Sequence, residues 1–139
     1  KVSGTIQQLY LTKSAFLVMG GIVGKATENS HIINCSNLAK VYGQALYVRT
    51  GGIAGRVDDA DVIIESCHNY GYIRAGGAGE NGNGYAGSIA GAKYFSATIK
   101  NCTNDSKATL LSSGKVNKSA DPAGDIFYDK SGMEFASGK

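Results

Sequence analysis

The sequence predicts an all-β chain wound as a right-handed parallel β-solenoid (β-helix) of about four coils, with three short strands in each coil. Three observations lead there. Glycine is abundant, 20 of 139 residues, while proline occurs once, which excludes collagen and proline-rich linkers. β-Branched Ile and Val together outnumber Leu, as in strand-rich chains. Most tellingly, two short signatures return in nearly constant phase through three copies.

The first signature is Gly20-Gly21-Ile22-Val23-Gly24, repeated as Gly51-Gly52-Ile53-Ala54-Gly55 and as Gly87-Ser88-Ile89-Ala90-Gly91. The second has the form I-x-[NS]-C-x-N: Ile32-Ile33-Asn34-Cys35-Ser36-Asn37, Ile64-Glu65-Ser66-Cys67-His68-Asn69 and Ile99-Lys100-Asn101-Cys102-Thr103-Asn104. One domain over 1–139 follows, with repeats at about 20–50, 51–86 and 87–122. A partial coil precedes them at 1–19 and a degenerate repeat or cap closes the chain at 123–139. Lys1-Val2-Ser3-Gly4 aligns with Lys40-Val41-Tyr42-Gly43, and Ala123-Gly124-Asp125-Ile126-Phe127-Tyr128 with the segment beginning Ala86-Gly87. A terminal repeat that has lost the signature suits a cap, because its outer face meets water.

Within each repeat three stretches read as strands: the glycine block itself; the β-branched His31–Ile33, Val62–Ile64 and 97–99; and an apolar set around 45–48, 72–73 and 109–111. Only Ser14 to Val18 passes for a helical turn, and Gly20-Gly21 would stop it. A repeat of this length can circle a triangular solenoid once, stacking equivalent residues about 4.8 Å apart. Ile22, Ile53 and Ile89 then stack inside, as do Ile32, Ile64 and Ile99, with small Val23, Ala54 and Ala90 where the coil is narrow. The glycines allow positive φ and close approach at a corner. Asn37, Asn69 and Asn104 are expected to form an amide ladder and to tolerate a left-handed turn. Cys35, Cys67 and Cys102 are expected to stack inward as free thiols, since stacked side chains pointing one way are poorly placed to bridge. A β-trefoil is the rival fold, but it needs four antiparallel strands per repeat.

The net charge of +3 is weak, and no Lys/Arg block marks a nucleic-acid footprint, so no nucleic-acid partner is expected. The longest apolar run, Ala15 to Met19, is too short for direct membrane insertion. Three cysteines argue against a paired disulfide framework. The start at Lys1, without Met or a leader-like order of regions, suggests a fragment of a longer exported chain.

The glycine blocks followed by Ile-x-Asn-Cys-x-Asn resemble the GLUG motif repeats of large bacterial surface proteins, among them adhesin-like proteins and the non-catalytic parts of some secreted proteases. The resemblance spans Gly20 to Asn104. It implies a secreted or cell-surface bacterial β-solenoid segment, with no catalytic residue to carry over; no cofactor is expected, and the expected partners are host or microbial glycans or surface proteins. Departures from the pattern are Ser88 for the second glycine, the glycine-rich insertion before the third repeat, and the unmatched tail from Ser112.

Among individual residues, Tyr42, Tyr47, Tyr70, Tyr72, Tyr85 and Tyr94 fall after or between the core blocks. There they either form an amphipathic strip for a glycan or protein, or cap coil edges. The stretch Gly76 to Gly87 lacks the Gly-Lys-Ser/Thr ending of a phosphate loop and reads as a loop bulging between coils, with Asn81-Gly82 and Asn83-Gly84 as turn dipeptides. Asp58, Asp59 and Asp61 gather carboxylates without a calcium-loop pattern and read as a solvated turn, so no metal site is expected. His31 and His68 occupy different phases of the repeat and do not suggest zinc. The alternative to a binding segment is a fragment of a polysaccharide-degrading β-helix enzyme, yet Asp61, Glu65 and Glu80 fall in no recurring arrangement.

Overall fold

The computed structural model describes residues 2–8, 16–94, 96–105, 107–127 and 133–135. Among them are eighteen strands, no helix, and only parallel pairings, which removes the trefoil. The chain is a parallel β-solenoid of three complete turns and part of a fourth, slightly short of the four coils expected. Ile6, Val41, Ile73 and Leu110 share one column, so successive turns take 35, 32 and 37 residues.

The first two turns carry five strands each, not three, and in the third β14 serves two ladders. The first ladder stacks β1 (Thr5–Gln8), β6 (Lys40–Ala45), β11 (Ile73–Gly77) and β15 (Leu110–Ser113). The second stacks β2 (Phe16–Gly20), β7 (Tyr47–Gly51), β12 (Asn83–Gly87) and β16 (Val116–Ala120). The third holds β3 (Val23–Ala26), β8 (Ala54–Val57), β13 (Ala90–Tyr94) and β17 (Ala123–Phe127). The fourth holds β4 (His31–Ile33), β9 (Ile63–Glu65), β14 (Thr98–Asn104) and β18 (Met133–Phe135). A short fifth ladder joins β5 (Ser36–Asn37), β10 (His68–Asn69) and the end of β14.

The count was wrong because an apolar glycine block reads as a strand when it is in fact a corner. β2 ends at Gly20 and β3 begins at Val23, so Gly20-Gly21-Ile22 turns the chain between two ladders. Likewise 45–48 spans the corner between β6 and β7. Of the supposed helical turn, Phe16 to Val18 is strand, and Ser14 and Ala15 lie outside the described residues. The stretch Gly76 to Gly87 does not bulge whole: it is the end of β11, a turn at 78–82, and β12.

Both terminal alignments were displaced by four residues. Thr5, not Lys1, lies beside Lys40, which carries Ile6 into the Val41 column, while Val2 bridges Asn37. Ala123 lies over Ala90 instead of Ala86, continuing the column of small inward residues Val23, Ala54 and Ala90. The chain beyond 123 adds β17 and β18 to existing ladders; Lys1, Tyr128 and 136–139 lie outside the described residues.

Two apolar cores result. One gathers Ile53, Ile89, Ile64, Ile99, Cys67 and Cys102 between the third and fourth ladders, with Ile22, Ile32 and Cys35 packed against it from the first turn. The other gathers Val41, Ile73, Val48 and Ala86 between the first and second ladders. Ile53, Ile64 and Ile89 are fully buried, each contributing about 1.5–3 kcal/mol.

The two sequence signatures meet in space. A Cβ on Gly52 would stand 2.6 Å from Asn69 Cγ and 2.1 Å from the Ser88 carbonyl oxygen; on Gly21 it would stand 2.6 Å from Asn37 Cγ and 2.2 Å from the Gly52 oxygen. The second glycine is therefore required by close approach. None of these corner glycines has positive φ. Nor do Asn37, Asn69 and Asn104 take the left-handed turn. That conformation falls on Asn34, Ser66 and Asn101 (φ 56°, 53° and 52°), the [NS] position just before each Cys, where a short polar side chain tolerates it. Ser88, in place of the second glycine, is buried with its hydroxyl on Asp121 of the next turn.

The closing glycine is demanded by the turn beneath it. A Cβ on Gly55 would lie 2.7 Å from the Gly24 oxygen and on Gly91 2.6 Å from the Gly55 oxygen, whereas on Gly24 it meets only Val18 O at 3.8 Å. Gly24→Ala is therefore expected to change stability by less than about 0.5 kcal/mol. Gly55→Ala and Gly52→Ala should each cost about 3 kcal/mol or more, since backbone must move. Urea denaturation of the three variants checks this, and equal losses at Gly24 and Gly55 would refute it.

Candidate ligand-binding surface

Of the residues singled out from sequence, the asparagines and cysteines lie within the coil. Asn37 Nδ2 donates to Asn69 Oδ1 (2.9 Å), and Asn69 Nδ2 to Asn104 Oδ1 (2.9 Å). Asn37 and Asn69 also close local turns: Asn69 Oδ1 accepts from Gly71 N and Nδ2 donates to Gly71 O, as Asn37 does with Ala39. All four hydrogen-bonding positions of the buried Asn69 amide are thus used. Asn69→Ala is expected to cost about 3–5 kcal/mol by leaving buried backbone groups unpaired. A chemical-denaturation midpoint close to that of the unaltered chain would refute this.

Cys35, Cys67 and Cys102 are free, the first partly exposed and the other two buried. The Cys67 thiol is pushed well above its ordinary value by its hydrogen bond with Cys102 and by burial, and Cys35 is raised by burial and by Cys67. Raised thiol pKa values keep the groups protonated and slow to react near neutrality. A thiol reagent at pH 8 is expected to modify Cys35 first and all three only after unfolding; fewer than three thiols in denaturant would contradict the free state.

The six tyrosines are spread over several ladders. Tyr42 lies on β6, Tyr47 on β7, Tyr85 on β12 and Tyr94 on β13; Tyr70, half exposed, follows β10 beside His68, and Tyr72 precedes β11. Three of them stack with arginines that sequence reasoning did not single out. Arg74 lies 4.8 Å from the Tyr42 ring and Arg56 4.4 Å from Tyr94. Arg49, only 6% exposed, lies 4.9 Å from Phe16 and 4.8 Å from Tyr85, so a guanidinium of the second turn ties together rings of the first and third. The signal was present: counting back two residues from the first glycine of each block gives the column Val18, Arg49 and Tyr85.

Among the described residues, grooves open on this outer surface, and two of them matter here. The larger, about 540 Å³, is lined by Lys25, Thr27, Glu28, Arg56, Asp58, Asp59 and Tyr94. Lys25 and Arg56, side by side in the third ladder, both pair with Asp58, while Asp59 accepts the Glu28 N–H. Asp61 is exposed, and among the described residues no three His, Cys, Asp or Glu side chains come together to hold a metal. The second groove, about 500 Å³, is lined by Leu46, Tyr47, Gly79, Glu80 and Asn81. Elsewhere, Glu65 pairs with Lys100 at 3.4 Å, His31 is exposed, and His68 Nδ1 lies 2.5 Å from Thr103 Oγ1.

The family model of the GLUG motif matches residues 18–42. That span runs from the end of β2 through the glycine corner, β3, β4 and β5 into β6. No curated protein and no solved structure matches the chain significantly.

Proposed function

Starting from a chain that is a GLUG-repeat protein with the β-solenoid described above, we propose that it is a non-catalytic structural and binding segment of a bacterial cell-surface protein. It extends the parent chain from the envelope and presents an adhesive flank to a glycan or a surface protein. The observation that carries this reading is the outer surface of the second and third ladders. There Phe16 and Tyr85 flank Arg49, Tyr47 lies beside Phe16, and Tyr94 covers Arg56, so rings and cations are laid across successive turns on a rigid support.

Such surfaces bind through flat apolar faces with polar neighbours, and they ask nothing of the core. The resemblance to GLUG repeats supports a bacterial and extracellular setting. A parallel solenoid also suits a spacer, since each added turn lengthens it by about 4.8 Å without changing the flank.

The test is to immobilise the domain and pass over it mucin glycoproteins, bacterial polysaccharides and extracellular-matrix proteins, following both binding and sugar release. Saturable binding of at least one class with no reducing or unsaturated sugar released is expected. Release of sugar that disappears on changing an acidic residue would replace this reading with the polysaccharide-degrading enzyme. Absence of binding to every class would overturn the adhesive flank.

A further inference from the structure

The corner between the first and second ladders differs from turn to turn. In the second turn a single residue, Leu46, separates β6 from β7, whereas in the third, residues 78–82 separate β11 from β12. The extra residues stand over the second turn and make the wall of the smaller groove, whose other side is Leu46 and the Tyr47 ring.

That wall is fixed by the turns beneath and above it and by its own hydrogen bonds. Ala78 N donates to Ala45 O (2.8 Å) and Asn83 N to Leu46 O (2.7 Å) in the turn beneath, and Lys115 N donates to Gly82 O (2.7 Å) from the turn above. The Asn81 side-chain oxygen accepts from Lys115 Nζ at 3.2 Å, and the Asn83 amide, turned to donate, reaches the carbonyls of Asn81 and Gly82 at 3.2 and 3.1 Å. A site held in this way loses little entropy when a ligand enters.

The lining has the chemistry of a sugar site. One wall is an aromatic ring 36% exposed, extended by the half-exposed Phe16 ring with centroids 6.0 Å apart. The other wall offers a carboxylate, an amide and open backbone at Gly79. A pyranose has a matching division, with an apolar C–H face for the ring and hydroxyl edges for the polar groups. Among the described residues the charged side chain of the lining is Glu80, with the Lys115 ammonium 3.2 Å from Asn81 Oδ1 beside it, so the polar wall offers the acceptors and donors that neutral hydroxyls pair with. At about 500 Å³ the groove lies in the usual range for small ligands, about 300–1,000 Å³.

We propose that this groove is a subsite for one neutral pyranose ring of a glycan, stacked on Tyr47, with Glu80 and Asn81 hydrogen-bonded to its hydroxyls. The proposal rests on the glycan branch of the binding function above and names its place and ligand class.

The experiment is an NMR titration of the domain with cellobiose, lactose, maltose and N,N′-diacetylchitobiose. For at least one of them, saturable shifts centred on Tyr47 and Gly79–Asn81 are expected, with Kd about 1 mM for so small a ligand. Tyr47→Ala should weaken binding at least tenfold and Tyr47→Phe by less than threefold. Glu80→Gln should weaken it severalfold. Tyr42→Ala, removing the ring stacked on Arg74 in the neighbouring ladder, should leave affinity unchanged. Retained binding in the Tyr47→Ala variant, shifts centred elsewhere, or no shift with any of the four sugars would overturn the subsite. If Tyr47→Ala lowers the urea midpoint, the Tyr47→Phe and Glu80→Gln pair decides: equal losses of affinity in both would also overturn it. Either failure leaves the surface-segment reading intact wherever immobilised domain still retains a protein or another glycan.

Discussion

Where the chain turns from the second ladder to the third, its backbone comes into direct contact with an asparagine side chain from the opposite side of the same coil. The second glycine of the corner has no room for a Cβ because Asn37 or Asn69 occupies the space, and the amide in turn has no spare hydrogen-bonding capacity. Each amide closes a two-residue turn on its own backbone and hands one donor to the next turn. The coil is pinched at this point, with one apolar core on either side. An aspartate here would stack like charges at the strand spacing, and an alanine would abandon buried backbone groups to no partner.

Once that contact is set, the remaining positions follow by stacking. Isoleucine and cysteine columns mark one side of the pinch, Val41, Val48, Ile73 and Ala86 fill the other, and the closing glycine is needed wherever another turn lies beneath. The outward residues are under no such constraint. They accommodate an arginine wedged between two rings on the second ladder, a cluster of paired charges on the third, and a five-residue turn where a neighbouring coil has one residue. Binding chemistry therefore belongs to the outside of the coil and to its corners, and stability to the inside.

Much of the inner order was legible because it repeats. The spacing between the glycine block and the Cys block placed Ile22, Ile53 and Ile89 in one column and Ile32, Ile64 and Ile99 in another, as the register has them. What repetition could not show was conformation. An apolar block such as Gly51-Gly52-Ile53 has strand composition, yet two of its residues turn the chain, so five strands per turn were read as three. The left-handed residue was placed at Asn37, Asn69 and Asn104, when it is Asn34, Ser66 and Asn101, because both positions in I-x-[NS]-C-x-N favour short polar side chains. At the termini the signatures fade, and alignments on single glycines slipped by four residues; burial of Ile6 and Ala123 decides the register instead. The outer site was least legible. Tyr47 was noted, but its groove depends on the turn at 78–82, far along the chain, and its neighbours Glu80 and Asn81 carry no repeating signal.

The most direct measurement of the interlocked corner is hydrogen exchange of the Asn69 side-chain amide, followed by NMR beside backbone amides of β9 and the exposed Asn29 side chain. If Asn69 joins the turns as described, its Nδ2 protons exchange only when the whole coil opens, with the same protection and the same denaturant dependence as the Ile64 backbone amide. Exchange at the rate of Asn29 would contradict it, because an amide that opens freely cannot be the contact on which the stacked turns depend.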